Sequence, residues 1–105
     1  MGLTKTEKQG FERYFIHGDF SAVLGAGETL DVNNVNTSVT AVDKDGVDAT
    51  STVIDDASEY VDEASLYVRI KDGVEAESPY KVTIQVETSL GNRWEVDGLI
   101  KIKET

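Results

Sequence analysis

The sequence predicts an all-β protein, an immunoglobulin-like sandwich of about seven short antiparallel strands. Residues 78–103 alternate apolar and polar side chains in two runs around a short turn, which is typical of strands with one face in a core and one in water. Other apolar runs recur at intervals of roughly 10 residues with turn residues between them, and no stretch carries the apolar stripe of a helix. A small β-barrel is the competing closure of the same strands.

The first ten residues show no periodicity, and we interpret residues 1–10 as a mobile or extended tail before a single domain at residues 11–105. The first strand is predicted at residues 11–17, where both faces are partly apolar. A second apolar run at residues 20–24 is closed by Gly25 and Gly27, which permit a sharp change of direction.

The middle of the chain predicts several short strands separated by turns. Residues 28–42 are the longest candidate, with a bend or bulge at Asn33 and Asn34. Asp45 and Gly46 predict a turn, and the β-branched residues 50–55 predict a strand. A short edge strand is expected at residues 59–61, and residues 66–71 alternate again.

The side-chain parity also predicts which aromatic residues are buried. Trp94 shares parity with the apolar residues of the last strand, so we expect it to be largely buried, with its indole N–H bonded to a partner. Tyr67 has the opposite parity to Leu66 and Val68, which makes it the best candidate for an exposed contact residue.

The composition narrows the classes of partner. Twenty acidic residues against ten basic ones give a net charge of -10, which repels phosphate backbones and anionic lipids, so we expect neither nucleic acid nor membrane as a partner. The absence of cysteine excludes a disulfide framework and thiolate metal sites. The polar start and the lack of a long apolar stretch predict a soluble protein made inside a cell.

No residue pattern in the chain predicts catalysis or cofactor binding. His17 is the only histidine, so a site with several histidine ligands is excluded. A loop that begins at Asp43 lacks the residues that an EF-hand calcium loop needs at its fifth, sixth and twelfth positions. Gly25 and Gly27 lack the third glycine, the lysine and the helix of a phosphate loop. We therefore predict a non-enzyme without catalytic residues, metal, cofactor or small-molecule substrate.

The charges are unevenly distributed along the chain. Residues 43–77 hold eleven acidic and three basic residues, which indicates either a solvated surface or a docking surface for a basic partner. The end of the last strand is basic, so self-association or docking through opposite charges is a further expectation. The candidate interaction residues are Tyr67, Asp55, Asp56, Asp62, Glu63, Lys101 and Lys103.

Two segments resemble a group of small bacteriophage and prophage proteins. Residues 20–30 read FSAVLGAGETL, similar to the aromatic-Ser-x-x-Leu-Gly-x-Gly-Glu-Thr segment of that group, and residues 79–93 are similar to its Tyr-x-Val-x-Val-x-x-x-Thr-Ser-x-Gly hairpin. The resemblance covers most of residues 15–103 and departs from the group in the more acidic middle and in the turn at residues 72–77. These proteins are usually described as tail-fibre adaptors or other structural tail proteins of immunoglobulin-like fold.

The resemblance implies a non-enzymatic virion component that assembles with other virion proteins or with copies of itself. It also implies a location in the host bacterial cytoplasm during assembly and then in the virion. The group supplies no catalytic residues to carry over. The alternative is a carbohydrate- or surface-binding β-sandwich module, which requires exposed, coplanar aromatic rings such as Trp94, Tyr67 and Tyr80.

Overall fold

The computed structural model of the chain describes residues 6–104, and within them seven strands form two packed sheets. The elements are β1 (Thr6–Lys8), β2 (Tyr14–Asp19), β3 (Ser38–Val42), α1 (Thr50–Val53), β4 (Tyr60–Asp62), β5 (Ser65–Ile70), a 3-10 turn (Glu75–Glu77), β6 (Tyr80–Glu87) and β7 (Arg93–Ile102). One sheet has the order β1-β7-β6-β3 and the other the order β2-β5-β4. The predicted all-β sandwich is thus confirmed, and the two separate sheets decide against a closed barrel.

The strand order is that of an immunoglobulin-like sandwich in which the first strand lies in the sheet of β7, β6 and β3. The β6–β7 hairpin is antiparallel from Tyr80 opposite Ile100 to Glu87 opposite Arg93, and β3 lies antiparallel on the other side of β6. In the second sheet β5 is antiparallel to both β2 and β4. The pairing of β1 with β7 is parallel, which is the one exception to the predicted antiparallel pattern among the described strands.

The core lies between the two sheets and follows the predicted parity of the hairpin. Alternate residues of β6 are buried, including Ile84 at 0% exposure, and β5 contributes a matching buried face. Gly18 in β2 lies at a close approach of the two sheets, because a Cβ there would be only 2.8 Å from Cγ2 of Val96. Phe20, which follows β2, is also fully buried.

The first described strand lies in the stretch predicted to be a tail. Residues 6–8 pair with β7, and Lys8 is buried with only 2% of its surface exposed. Its Nζ donates hydrogen bonds to the main-chain carbonyls of Gln9, Gly10 and Asp72 at 2.8, 3.4 and 2.6 Å. Desolvation on burial lowers the pKa of Lys8. The sandwich therefore begins at β1, and residues 1–5 of the predicted tail lie outside the described residues.

Two predicted strands have different bounds. The strand expected at residues 11–17 begins at Tyr14, because Phe11 lies in a turn and is 98% exposed. In residues 28–42 only Ser38–Val42 is a strand, since two turns precede it. The side chains of Asp31 and Asn34 close these turns by accepting hydrogen bonds from the main-chain N–H two residues later, at 2.9 and 2.8 Å.

The strand predicted at residues 50–55 is wrong, because residues 50–53 form the single helical turn α1. The Asp48 carboxylate accepts hydrogen bonds from both the N–H and the hydroxyl of Thr50, and this fixes the start of the turn. Val53 and Ile54 are then buried at 1% and 3% exposure, so packing between the sheets overrides the β propensity of the segment. No helix within residues 6–104 has the length and hydropathy needed to cross a bilayer.

Candidate interaction surface

A row of stacked rings crosses the outer face of the three-stranded sheet. His17 of β2 lies opposite Tyr67 of β5, which in turn lies opposite Tyr60 of β4. The Tyr67 ring centroid is 4.9 Å from that of His17 and 4.9 Å from that of Tyr60, with interplanar angles of 28° and 5°. Since neighbouring strands are about 4.8 Å apart, each ring stands over its own strand and stacks on the next. Both faces of Tyr67 are therefore covered.

Phe15 and Arg69 extend this row by one step along the strands, where they lie opposite each other. The Phe15 ring meets the Tyr60 ring edge-on, with centroids 5.4 Å apart and planes at 73°. The Arg69 guanidinium carbon lies 5.6 Å from the Phe15 ring centroid, and the same guanidinium pairs with Asp55 at 2.5 Å. We call the set Phe15, His17, Tyr60, Tyr67 and Arg69 the aromatic face.

The aromatic face is accessible to a partner. Phe15 is 43% exposed and Tyr60 is 44% exposed, whereas Tyr67 is half-buried beneath its neighbours. Clustered exposed rings on a small domain often mark a binding surface, and aromatic residues and arginine are enriched where interfaces are strongest. Contacts between the rings also hold them in place before any partner arrives, which lowers the entropy cost of binding.

The structure brings five of the predicted interaction residues to this side of the sandwich. Tyr67 is at the centre of the aromatic face, Asp55 pairs with its arginine, and Asp62 follows Tyr60 on the same face of β4. The exposed residues Asp56 and Glu63 lie in the turns before and after β4.

Lys101 and Lys103 lie elsewhere. Both are exposed, one in β7 and one just beyond its end, and β7 belongs to the opposite sheet. The predicted surface is therefore two separate surfaces of opposite charge.

The predicted interaction residues did not include four members of the aromatic face, namely Phe15, His17, Tyr60 and Arg69. The shared parity of Phe15 and His17 was visible in the sequence, but the two faces of the first strand looked equally apolar. The row exists only because β2, β5 and β4 pair in one register, and a single sequence does not show which strands are neighbours.

The three aromatic residues considered for a sugar platform do not come together. Tyr80 is 2% exposed, and its hydroxyl accepts a hydrogen bond from the Val74 N–H at 3.1 Å. Trp94 is half-buried in the other sheet, away from Tyr67. The indole N–H of Trp94 is buried and has no hydrogen-bond partner among residues 6–104, so the expectation that it would find one is wrong.

Three carboxylates meet at the turn that the sequence compares with a calcium loop. Asp43, Asp45 and Glu77 have carboxylate oxygens within 4.8 Å of one another. Oδ1 of Asp43 accepts hydrogen bonds from the N–H groups of Asp45 and Val47 at 2.8 and 3.0 Å, which closes the turn. Glu77 belongs to the 3-10 turn, which is distant in sequence, so the spacing of residues does not predict that it lies beside the other two carboxylates.

The two segments that carry the phage resemblance contact each other. Glu28 is buried, and its carboxylate accepts hydrogen bonds from the Gly25 N–H at 2.8 Å, the Asn92 side-chain amide at 2.9 Å and the Thr88 hydroxyl. The Gly25 N–H, followed by Thr88 and Asn92, lowers the pKa of Glu28. We call these four residues the Glu28 clip, which ties residues 25–28 to the β6–β7 turn.

Comparison with known proteins finds no matching family model and no similar curated protein. Function has to be argued from the surface itself. The aromatic face offers the exposed rings of Phe15 and Tyr60 and a guanidinium held by a carboxylate, which are groups suited to binding another molecule.

Proposed function

We propose that the chain is a non-enzymatic module that assembles with another protein through the aromatic face, as a structural component of a bacteriophage or prophage virion. The observation that carries the protein-binding role is the exposed, mutually packed pair Phe15 and Tyr60. The virion role rests on the resemblance of residues 20–30 and 79–93 to small phage tail proteins. The contact of these two segments through the Glu28 clip supports treating them as one unit of the fold.

The aromatic face has the energetics of a protein contact. Full burial of an aromatic side chain contributes about 1.5–3 kcal/mol, so covering Phe15 and Tyr60 would supply the centre of an interface. The surrounding carboxylates Asp19, Asp55 and Asp62 favour a partner with basic groups at its rim.

The test is to express the chain together with each protein encoded beside it and to measure complex formation by size-exclusion chromatography with light scattering. We expect a complex with one virion protein. Tyr60→Ser and Phe15→Ser should each weaken it about 30-fold, as expected for residues at the centre of an interface. Val35→Ser, at a side chain that is 92% exposed and outside the aromatic face, is the matched control and should have no effect.

Two results would count against the proposal in different ways. A complex that survives both ring substitutions would remove the aromatic face from the interface. Flanking genes without any head, tail or lysis function would remove the virion role and leave only the binding module.

A carbohydrate-binding module is the second candidate, and the exposed rings of Phe15 and Tyr60 favour it. The geometry favours a protein partner instead, because sugar stacking uses open ring faces and both faces of Tyr67 are covered by other rings. Binding of a soluble polysaccharide, measured by calorimetry and lost in Tyr60→Ser, would reverse this preference.

A further inference from the structure

Among the described residues 6–104, one edge of the four-stranded sheet is unpaired along most of β7. On its β6 side β7 is paired from Arg93 to Ile100, but on its other side β1 pairs only with Ile100–Ile102. No strand within residues 6–104 pairs with residues 93–98 on that side. An uncovered strand edge offers a row of main-chain N–H and C=O groups to another extended chain.

The opposite edge of the same sheet shows how this protein covers a strand. Residues 48–50 lie along β3, where the Ala49 N–H donates to the Ala41 carbonyl at 2.8 Å and the Ala41 N–H donates to the Thr50 hydroxyl at 3.0 Å. An isolated bridge joins Val42 and Asp48 at the same place. The long open edge of β7 therefore contrasts with a protected edge in the same sheet.

A groove of about 200 Å³ opens at the Gly98 end of this edge. It is lined by Thr6 of β1, by Ile16, by Phe15 and His17 of the aromatic face, and by Val82, Gly98, Leu99 and Ile100. Gly98 has no side chain at a position whose parity points inward, and Ile16 is only half-buried. A strand added at the open edge would point every second side chain toward the core side of the sheet, and the one beside Gly98 would lie next to this groove.

The charges beside the edge indicate the chemistry of that strand. Glu95 and Asp97 point away from the core, and each is hydrogen-bonded from the β6 side, by Gln85 at 2.7 Å and by Thr83 at 2.8 Å. Basic side chains directly opposite these carboxylates on an added strand would stabilise the pairing. A second copy of the chain is a poor donor, since its own alternation of isoleucine and lysine at residues 100–103 is already paired with β1.

We propose that β7 accepts, along residues 93–98, an extended segment of a partner protein in which lysine or arginine alternates with valine or isoleucine. The aliphatic side chain beside Gly98 reaches the groove, and the basic side chains face Glu95 and Asp97. The groove shares Phe15 and His17 with the aromatic face, but the strand edge at residues 93–98 belongs to the other sheet.

The probe is a capped synthetic peptide, Thr-Lys-Val-Lys-Val-Lys-Thr, added to the full chain while amide hydrogen exchange is followed by NMR. We expect exchange of amides within residues 93–98 to slow at least about 10-fold, because the added strand supplies their missing partners. The same peptide with its valine nitrogens methylated cannot complete the ladder and should give no protection.

Paired variants distinguish binding of the peptide at this site from non-specific attraction of a basic peptide to an acidic protein. Asp97→Lys should weaken peptide binding at least about 10-fold, whereas Asp45→Lys makes the same charge change in a remote exposed turn and should leave it intact. Tyr60→Ser should also leave it intact, because Tyr60 does not line the groove. Thermal melting confirms that each variant is folded.

Four outcomes would overturn the proposal. These are absence of binding, protection at a different strand, equal effects of Asp97→Lys and Asp45→Lys, and binding only after removal of residues 1–5. The last would mean that a segment of the same chain takes the place assigned here to a partner.

Discussion

At the scale of single residues, Glu28 shows how a buried carboxylate can organise one end of the sandwich. Three donors from two distant segments converge on it, and Thr29 and Ser89 add a pair of hydrogen bonds beside it, at 3.0 and 2.9 Å. A buried carboxylate is favourable only while such donors are in place. The folded state therefore stabilises the ionised form of Glu28.

Acid should weaken the fold through this residue. The pKa of Glu28 in the folded protein lies below its ordinary value of 4.5, so its stabilising contribution is complete above about pH 4.5. It is lost as the pH falls through the lowered pKa. We expect Glu28→Gln to lower the free energy of unfolding at pH 7 and to reduce its fall in acid, both measured by urea unfolding from pH 7 to pH 3.

The control for this prediction is Glu63→Gln, which removes a carboxylate from an exposed turn. It should leave both the stability at pH 7 and the acid dependence close to those of the parent. An acid dependence unchanged in Glu28→Gln would show that the clip contributes nothing to it.

At the scale of elements, the alternation along the β6–β7 hairpin determines which of its side chains face the core. Ile84→Asp should cost more than about 4 kcal/mol or prevent folding, because it places an unpaired charge at a site with 0% exposure. Gln85→Asp should cost less than about 1 kcal/mol. This small loss arises because the Gln85 amide donates a hydrogen bond to Glu95, and the new Asp carboxylate would face the Glu95 carboxylate instead. Equal melting temperatures of the two variants would contradict the assignment of residue 84 to the core face of β6 and of residue 85 to the solvent face.

The elements predicted well from the sequence are those in which one face is buried along the whole strand. β5 and β6 meet this condition, and β7 meets it except at the half-buried Trp94 and Gly98, so their alternation alone located them. The elements predicted poorly depend on tertiary contacts. β1 is held by β7 and the buried Lys8, and α1 is fixed by Asp48 and by packing between the sheets.

The same limit applies to the candidate surface. Parity alone indicated that Tyr67 faces outward, since that needs only its own strand. The ring stack needs His17, Tyr60 and Tyr67 to lie in one row, and this depends on the pairing of three strands that are distant in sequence. Such pairing is a property of the folded sheet.

At the scale of the whole molecule, surfaces of opposite charge lie on opposite sheets. Lys81, Lys101 and Lys103 are exposed near one end of the β6–β7 sheet, whereas Asp55 and Asp62 flank the aromatic face of the other sheet. Contact between these surfaces in two copies would be heterologous, so it would add copies in a row and would not close into a dimer.

Salt should decide whether this contact forms. At 0.15 M ionic strength the Debye length is about 8 Å, which is short compared with the 45 × 22 × 22 Å extents of the molecule. The overall repulsion between two copies of net charge -10 is therefore screened, whereas ion pairs in direct contact keep most of their attraction. At 1 M salt the Debye length of about 3 Å screens those pairs as well. We expect sedimentation at 0.15 M and high protein concentration to give an average mass above the 11.5 kDa of one chain, and sedimentation at 1 M to give the single chain.

Two variants of equal net charge test whether the basic end of β7 makes this contact. Lys101→Glu and Arg93→Glu each change the net charge from -10 to -12, because one positive charge becomes negative. Lys101→Glu should abolish the association at 0.15 M salt, whereas Arg93→Glu, at the opposite end of β7, should retain it. Equal loss in both variants would mean that net charge controls the association, and a mass independent of salt would mean that ion pairs do not hold the copies together.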